Sequence, residues 1–304
     1  MAQVYIAGDW GTTNLRLWLR RGEQTLDTRA GPGALAAQSA FESTLAALVA
    51  PWLEQHPGAP VILCGMVGSR LGWIEAPYVG CPAAAADLAA QAVRLTALGC
   101  DLRLVPGVSG PSPAGAHDVM RGEETQIIGA LGLQPELAVG RRLLVLPGTH
   151  CKWAEVEGGR IVSAQTAPTG EVFGLLRAHG ALALPQGGEL GAPADGFFAG
   201  LARAQGEGGL IHALFETRSR RLLDGWSEPY ALDFLSGLLI GAEVAGGLAL
   251  FPDDGAAVTL VGDGRLTARY QAAFHRLGRT TAALSGEACA LAGLGTLLSL
   301  SLEE

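Results

Sequence analysis

Two segments 137 residues apart share one pattern, and that repeat constrains the fold more than any other feature of the chain. VYIAGDWGTTNLRLWLRR, beginning at Val4, reads as an apolar run, a turn at residues 9–11, and a second run with period two. LLVLPGTHCKWAEVEGGRIV, residues 143–162, repeats the order of strand, Gly-Thr turn, strand, turn and strand, with Gly148-Thr149 answering Gly11-Thr12. Period two marks half-buried strands. A second echo links VILCGMVG from Val61 to VTLVGDG from Val258, each an apolar strand ending in glycine with a helix-like stretch expected after it. In a chain of 304 residues these two echoes predict a duplicated α/β domain, split within the polar stretch 133–140 into domains 1–135 and 136–304. QTLDTRA extends the first sheet, and residues 34–55 are expected to form one amphipathic helix.

Such a duplication suggests a purpose for the two turns. Backbone N–H groups in glycine turns, joined by threonine hydroxyls, grip phosphate oxygens. One turn in each half would hold a nucleotide in the cleft between the domains.

Charge narrows the partner. The formal charge is -8, with 21 basic residues against 29 acidic ones, and no stripe of Lys or Arg appears. Nucleic acid and polyanion partners are therefore not expected. The apolar run 234–251 carries Glu243 and several glycines and reads as a buried helix, so no membrane partner is expected either. Asp9 and Arg16 break the apolar start that a signal peptide needs. Five scattered cysteines form no CxxC pair, and they read as small buried hydrophobes in a reducing, cytoplasmic setting. Twenty of the 21 basic residues are arginine, and the single lysine is Lys152, inside the second turn motif.

The motifs each have a plain structural reading beside the chemical one. In DWGTTN, Asp9 suits Mg²⁺ through water, and Gly11, Thr12, Thr13 and Asn14 suit phosphates; Asp and Gly also build ordinary hairpins. In PGTHCKW, Gly148, Thr149 and His150 form the partner turn, and Lys152 offers a compact charge to phosphate oxygens. A lone lysine is otherwise a solvated surface residue, and His150 serves equally as a structural histidine. VMRGEETQIIGA places Arg121, Glu123 and Glu124 at a helix start, where carboxylates already suit the dipole. The chemical reading makes one of the two the base for an attacking hydroxyl. GMVGSRLGWIEAPY supplies Ser69, Arg70, Trp73 and Tyr78 in a loop able to wrap a polar substrate, or merely to connect. VGDGRLTARY brings Gly262, Asp263 and Gly264 to a glycine turn that opens a helix. GPGALA at Gly31 matches a dinucleotide string, but it follows a polar strand and is set aside.

Together, DWGTTNLRLW, GMVGS with GW and APY, VMRGEETQIIGA, LPGTHCKW, FLSGLLIGAEV and LTARYQAAF resemble the 2-dehydro-3-deoxygalactonokinases, within the sugar kinase, actin and Hsp70 superfamily. The resemblance implies an α/β fold of two RNase H-like (actin-like ATPase) domains with a central interdomain cleft. It implies ATP and Mg²⁺ as cofactors, a small sugar acid as acceptor, and transfer of the γ-phosphoryl group to the C6 hydroxyl of 2-dehydro-3-deoxy-D-galactonate. It assigns Asp9 to Mg²⁺, the turns 11–14 and 148–150 to phosphates, and Gly262, Asp263 and Gly264 to the adenosine side. It favours Glu123 over Glu124 as base, and leaves Arg70 and Arg121 as candidates for the substrate carboxylate. Pro147 stands where many relatives carry an acid, which puts a metal role for the second turn in doubt and gives Lys152 a reason to be there. A homodimer is compatible with the sequence. The competing readings are a phosphohydrolase of the same fold acting on polyphosphate or a nucleotide, and a nucleotide-switched regulator.

Overall fold

The computed structural model describes residues 3–251 and 255–302. The chain forms two compact units. It builds the first through Arg141, leaves it for residues 142–155, returns for 156–164, leaves again for 165–285 and comes back at Gly286. The units therefore differ from the two continuous halves 1–135 and 136–304: two later segments complete the first one.

The first unit holds β1 (Val4–Trp10), β2 (Asn14–Arg21), β3 (Gln24–Pro32), β4 (Val61–Gly65), β5 (Tyr78–Gly80), β6 (Val93–Ala97), β7 (Cys100–Leu104), β8 (Gly107–Pro111) and β9 (His117–Met120). Its helices are α1 (Phe41–Gln55), α2 (Ala85–Ala90) and α3 (Glu123–Leu133). The main sheet runs β3-β2-β1-β4-β7-β6, and β5-β8-β9 form a small separate sheet. β4 is buried along its whole length, as a central strand with parallel neighbours on both sides must be. β2 alternates exposed and buried residues at its start, and β3, at the edge, is mostly exposed. Leu45, Val49 and Trp52 line one face of α1 and bury it against this sheet's core.

The second unit adds β10 (Arg141–Leu146), β11 (Cys151–Glu157), β12 (Arg160–Ala167), β13 (Val258–Gly262) and β14 (Thr281–Ser285). Its helices are α4 (Thr169–Ala178), α5 (Asp195–Ala204), α6 (Gly209–Leu214), α7 (Glu216–Leu223), α8 (Glu228–Leu250) and α9 (Gly264–Arg276). Its sheet runs β12-β11-β10-β13-β14, which reproduces β3-β2-β1-β4-β7 strand for strand. The parallel pairs also correspond: β1–β4 and β4–β7 in one sheet, β10–β13 and β13–β14 in the other. This is a mixed α/β fold of two RNase H-like units: the repeated turn implied the duplication, and the family resemblance implied the RNase H-like type.

Some local expectations shift. The first turn follows Trp10 rather than starting at Asp9, because the buried Trp10 extends β1 and bonds through its indole N–H to the Pro32 carbonyl at 3.0 Å. The helix expected over 34–55 begins only at Phe41. The preceding residues instead bond back to the first turn, with Ala34 N–H to the Gly11 carbonyl and Leu35 N–H to that of Thr12. β13 leads into the 13-residue α9, but β4 leads only into a single 3-10 turn, Met66–Gly68. Gly65, at φ 90, turns the chain out of the helical path there.

α8 is long and apolar enough to cross a membrane, yet 61% of its apolar window is buried inside the protein. Its crossing with α5 is backbone against backbone: a Cβ on Gly237 would lie 2.0 Å from the Phe197 carbonyl oxygen. The last helix, α10 (Gly286–Leu302), returns to the first unit and packs on α3 in the same manner. A Cβ on Gly129 would fall 1.7 Å from the Cys289 carbonyl oxygen, and one on Gly293 would fall 1.9 Å from that of Thr125.

Candidate active site

In the first unit the chemistry gathers at the C-terminal ends of β1 and β4, the usual place for ligands in open α/β sheets. Asp9 sits beside Cys64 in the parallel register, and Gly65 follows it. A Cβ on Gly65 would lie 2.9 Å from the Trp10 carbonyl oxygen and 3.4 Å from Asp9 Oδ1. One on Gly122 would lie 3.5 Å from Gly65 Cα. These glycines, with φ of 90 and 110, let the start of α3 close onto the strand ends. Asp9, Glu123 and Glu124 thereby come to one region.

The two glutamates have different surroundings. Glu123 is partly exposed, and its Oε2 accepts the Arg121 N–H at 3.1 Å. Glu124 is fully buried, accepting the Gly122 N–H at 2.7 Å and the Thr125 hydroxyl at 3.0 Å. Burial and then the neighbouring Glu123 charge raise the Glu124 carboxyl to about 7, against the opposing pull of those hydrogen bonds. The same crowding acts on Cys64: burial first, then Asp9 and Glu124, push its thiol well up and keep it neutral.

The first turn is exposed at Thr12, Thr13 and Asn14, with Asn14 Nδ2 donating to Thr13 Oγ1 at 3.1 Å. It is braced from outside by Gly33, where a Cβ would sit 2.2 Å from the Thr13 carbonyl carbon. GPGALA, set aside as a dinucleotide decoy, is thus the support of this turn. Asp9 Oδ2 accepts from Arg16 Nη2 at 2.6 Å, so a cation already stands at this carboxylate. No group of three or more His, Cys, Asp or Glu forms a metal cage among the described residues. Mg²⁺ keeps most of its waters and takes one or two carboxylates alongside substrate phosphates, so a single Asp9 fits that ion.

The loop expected to wrap the substrate spans residues 65–78. Arg70 is exposed, Trp73 packs on the core of the first sheet, and Tyr78 opens β5 with its ring under the Arg121 guanidinium at 4.3 Å. β8 sets this pairing: Tyr78 is in register with Gly107, and Val108 with Met120, the residue before Arg121. Gly107 has to lack a side chain, because its Cβ would meet the Tyr78 ring at 2.6 Å.

In the second unit the turn 147–150 joins β10 to β11, with Thr149 and His150 exposed. Its support comes from α4. A Cβ on Gly170 would sit 2.4 Å from the Gly148 carbonyl oxygen, and the Glu171 N–H donates to the Thr149 carbonyl at 2.9 Å. His150 Nε2 lies 2.8 Å from Glu171 Oε2. Lys152 lies on β11 rather than in the turn. It is only 7% exposed, and its Nζ donates to Thr166 Oγ1 at 2.7 Å. Glu243 anchors the same strand, accepting from the Trp153 indole at 2.8 Å and from the Tyr270 hydroxyl at 2.6 Å. Gly262 ends β13 beside Pro147, since its Cβ would lie 3.5 Å from the Pro147 carbonyl oxygen. Asp263 then caps α9, accepting from Arg265 N at 3.0 Å, and Gly264 is the first helical residue. The sequence reading missed Gly33, Thr166, Gly170 and Glu171. Each reaches its turn through the fold, and the dipeptide Gly-Glu after a Thr was the only local sign.

Known proteins resemble the chain along nearly its whole length. A family model described as 2-keto-3-deoxy-galactonokinase matches residues 9–297. The 2-dehydro-3-deoxygalactonokinase of Escherichia coli (strain K12) is 40% identical over 303 residues, covering 98% of each chain. A crystal structure of a protein from Sinorhizobium meliloti, named for the same activity, superposes with a TM-score of 0.87 at 34% identity, covering 97% of this chain and 95% of that one. At 13% identity, the activator of 2-hydroxyisocaproyl-CoA dehydratase from Clostridium difficile, solved with bound ADPNP, shares the fold alone, with a TM-score of 0.52. With its two matched sheets, its glycine-braced turns and these relatives, the chain belongs to the 2-keto-3-deoxy-galactonokinase family.

Proposed function

We propose that the chain transfers the γ-phosphoryl group of ATP to the C6 hydroxyl of 2-dehydro-3-deoxy-D-galactonate. The observation that carries this reading is the start of α3, where a partly exposed Glu123 lies among the ends of β1 and β4 with Asp9. Phosphoryl transfer asks little covalent chemistry of a protein beyond a positioned base and charge to meet the phosphates. Glu123 takes the proton of the acceptor hydroxyl as that oxygen forms the new bond to phosphorus and the bond to ADP breaks. Glu124, with no exposed surface, holds the first turn of α3 through Gly122 and Thr125 and so aims its neighbour. Asp9 holds Mg²⁺ through water, and the ion supplies charge neutralisation to the phosphate oxygens. Gly11, Thr12, Thr13 and Asn14 contact phosphates from the first unit; Gly148, Thr149 and His150 do so from the second, with Lys152 lending positive charge from β11. Gly262, Asp263 and Gly264 border the adenosine, and Ser69, Arg70, Trp73, Tyr78 and Arg121 serve the sugar acid. The protein works in the cytoplasm.

ADP release measured with a panel of 2-keto-3-deoxy acids, plain water and polyphosphate tests this reading. Turnover should require a sugar acid; release independent of any acid overturns the kinase and favours a phosphohydrolase. Glu123→Gln should lower kcat by about 100-fold or more while ATP still binds. A dead Glu124→Gln beside a nearly normal Glu123→Gln would exchange their roles.

A further inference from the structure

Arg121 has an incomplete set of partners beside the loop 65–78. Its guanidinium is wedged inside the loop 65–78, stacked 4.3 Å over Tyr78 and donating from Nη2 to the Ala76 carbonyl at 2.8 Å. Nη1 sits 3.2 Å from where a Cβ on Gly68 would lie, so the glycine leaves it room close to the loop backbone. Nε and Nη1 are buried and have no hydrogen-bond partner, and the Ser69 hydroxyl, one residue along from Gly68, is buried and unpartnered as well. Three unpaired donors, two of them on a permanent cation, are costly to bury without an acceptor. A loop that needed only a strut would be served by an apolar side chain of similar length.

The outside of the loop is different. Arg70, Leu71, Ile74 and Glu75 are exposed, and Arg70 is in water rather than against the loop's inner face. Solvent screens a charge held there, so it discriminates weakly between acidic and neutral ligands.

We propose that Arg121, with the Ser69 hydroxyl, is the carboxylate-recognition site that makes the enzyme select an acidic acceptor over a neutral sugar, and that exposed Arg70 is not. This rests on the kinase reading above and names the part of its site that reads the acid group. The carboxylate accepts from Arg121 Nη1 in a charge-assisted hydrogen bond and from Ser69 Oγ as the exposed side of the loop moves aside to admit it, while Nε, on the opposite edge of the guanidinium, serves a second acceptor on the sugar acid. Because the Arg121 main-chain N–H also holds Glu123, a carboxylate seated here is registered directly against the base.

The test compares the 2-keto-3-deoxy acid with its uncharged amide, in binding by titration calorimetry and in turnover. Wild-type protein should bind the acid at least about 30-fold more tightly than the amide. Arg121→Met should abolish that preference, raise KM for the acid about 30-fold or more, leave KM for ATP within about twofold and keep the thermal midpoint at or above that of the wild type. Equal losses for acid and amide would make Arg121 only a strut and overturn the proposal. So would loss of the preference in Arg70→Gln with its retention in Arg121→Met. Should Arg121→Met fail to fold, Ser69→Ala decides: a rise of about threefold to tenfold in KM for the acid alone supports the site, and no change rejects it. Since acid binding is read calorimetrically, absence of turnover in wild type would count against the kinase reading and leave this comparison decisive.

Discussion

The two units build the same five strands and charge them oppositely. At the strand ends of the first, an acid is buried: Glu124 is fully enclosed, and Asp9 faces the turn with Arg16 as its counter-ion. In the second, the buried ionisable residue is a base on a different element: Lys152 lies on β11, where the repeat places the apolar Leu15 in the first unit, and the exposed pair is His150 with Glu171. On the proposed reading, the duplicated scaffold is divided into a side for the metal and the reacting proton, and a side that adds positive charge for phosphate. Matching strand orders set where the turns fall.

Four substitutions would break or sharpen that contrast. The largest effect is expected at Asp9: Asp9→Asn should lower kcat by about 100-fold or more and raise the Mg²⁺ needed for half-maximal rate. An unchanged Mg²⁺ titration would remove the metal from the first unit. Lys152→Met keeps the side-chain volume and removes the charge, so KM for ATP should rise about tenfold or more without loss of thermal stability. A drop in melting temperature with normal ATP kinetics would instead make Lys152 a packing residue of β11. His150→Ala, at the exposed turn, should raise KM for ATP only about threefold to tenfold.

The smallest catalytic consequence, and the clearest pH signature, belongs to Glu124. Its carboxyl is raised in the folded protein, so the native state binds the proton more tightly than the unfolded one. Stability is then full below the ordinary carboxylate range and declines as pH rises towards about 7, by about 3 kcal/mol in all. Denaturant midpoints of Glu124→Gln should be nearly flat across that window, and a decline as steep as the wild type's would place the titrating group elsewhere.

Much of this was legible in the sequence because strand period and glycine turns are local signals. β1, β2, β4 and the helix start at Glu123 follow from their own residues, and the repeated Gly-Thr turn indicated duplication before any coordinates. What was not legible depends on approach between distant segments. Gly33 looks like part of a helix or a decoy motif until the Thr13 backbone is seen 2.2 Å from its missing Cβ. Lys152 follows the turn in sequence, and only the pairing of β11 with β12 shows that it points to Thr166 and away from water. The small sheet that joins Tyr78 to Arg121 is made of strands of three to five residues, too short to show a period.

The crossing of α3 with α10 bears on how the protein is made. α3 can take its native place only against the backbone of α10, to which Gly129 and Gly293 give contact with no side chain between. Yet α10 follows every strand of the second unit in the sequence and is synthesised after them. The first unit, begun at the first strand, therefore stays open on one face until the residues of α10 have been made. The helix that carries Glu123 is locked at that same moment, so a chain cut short before Gly286 would lack the surface against which α3 is seated.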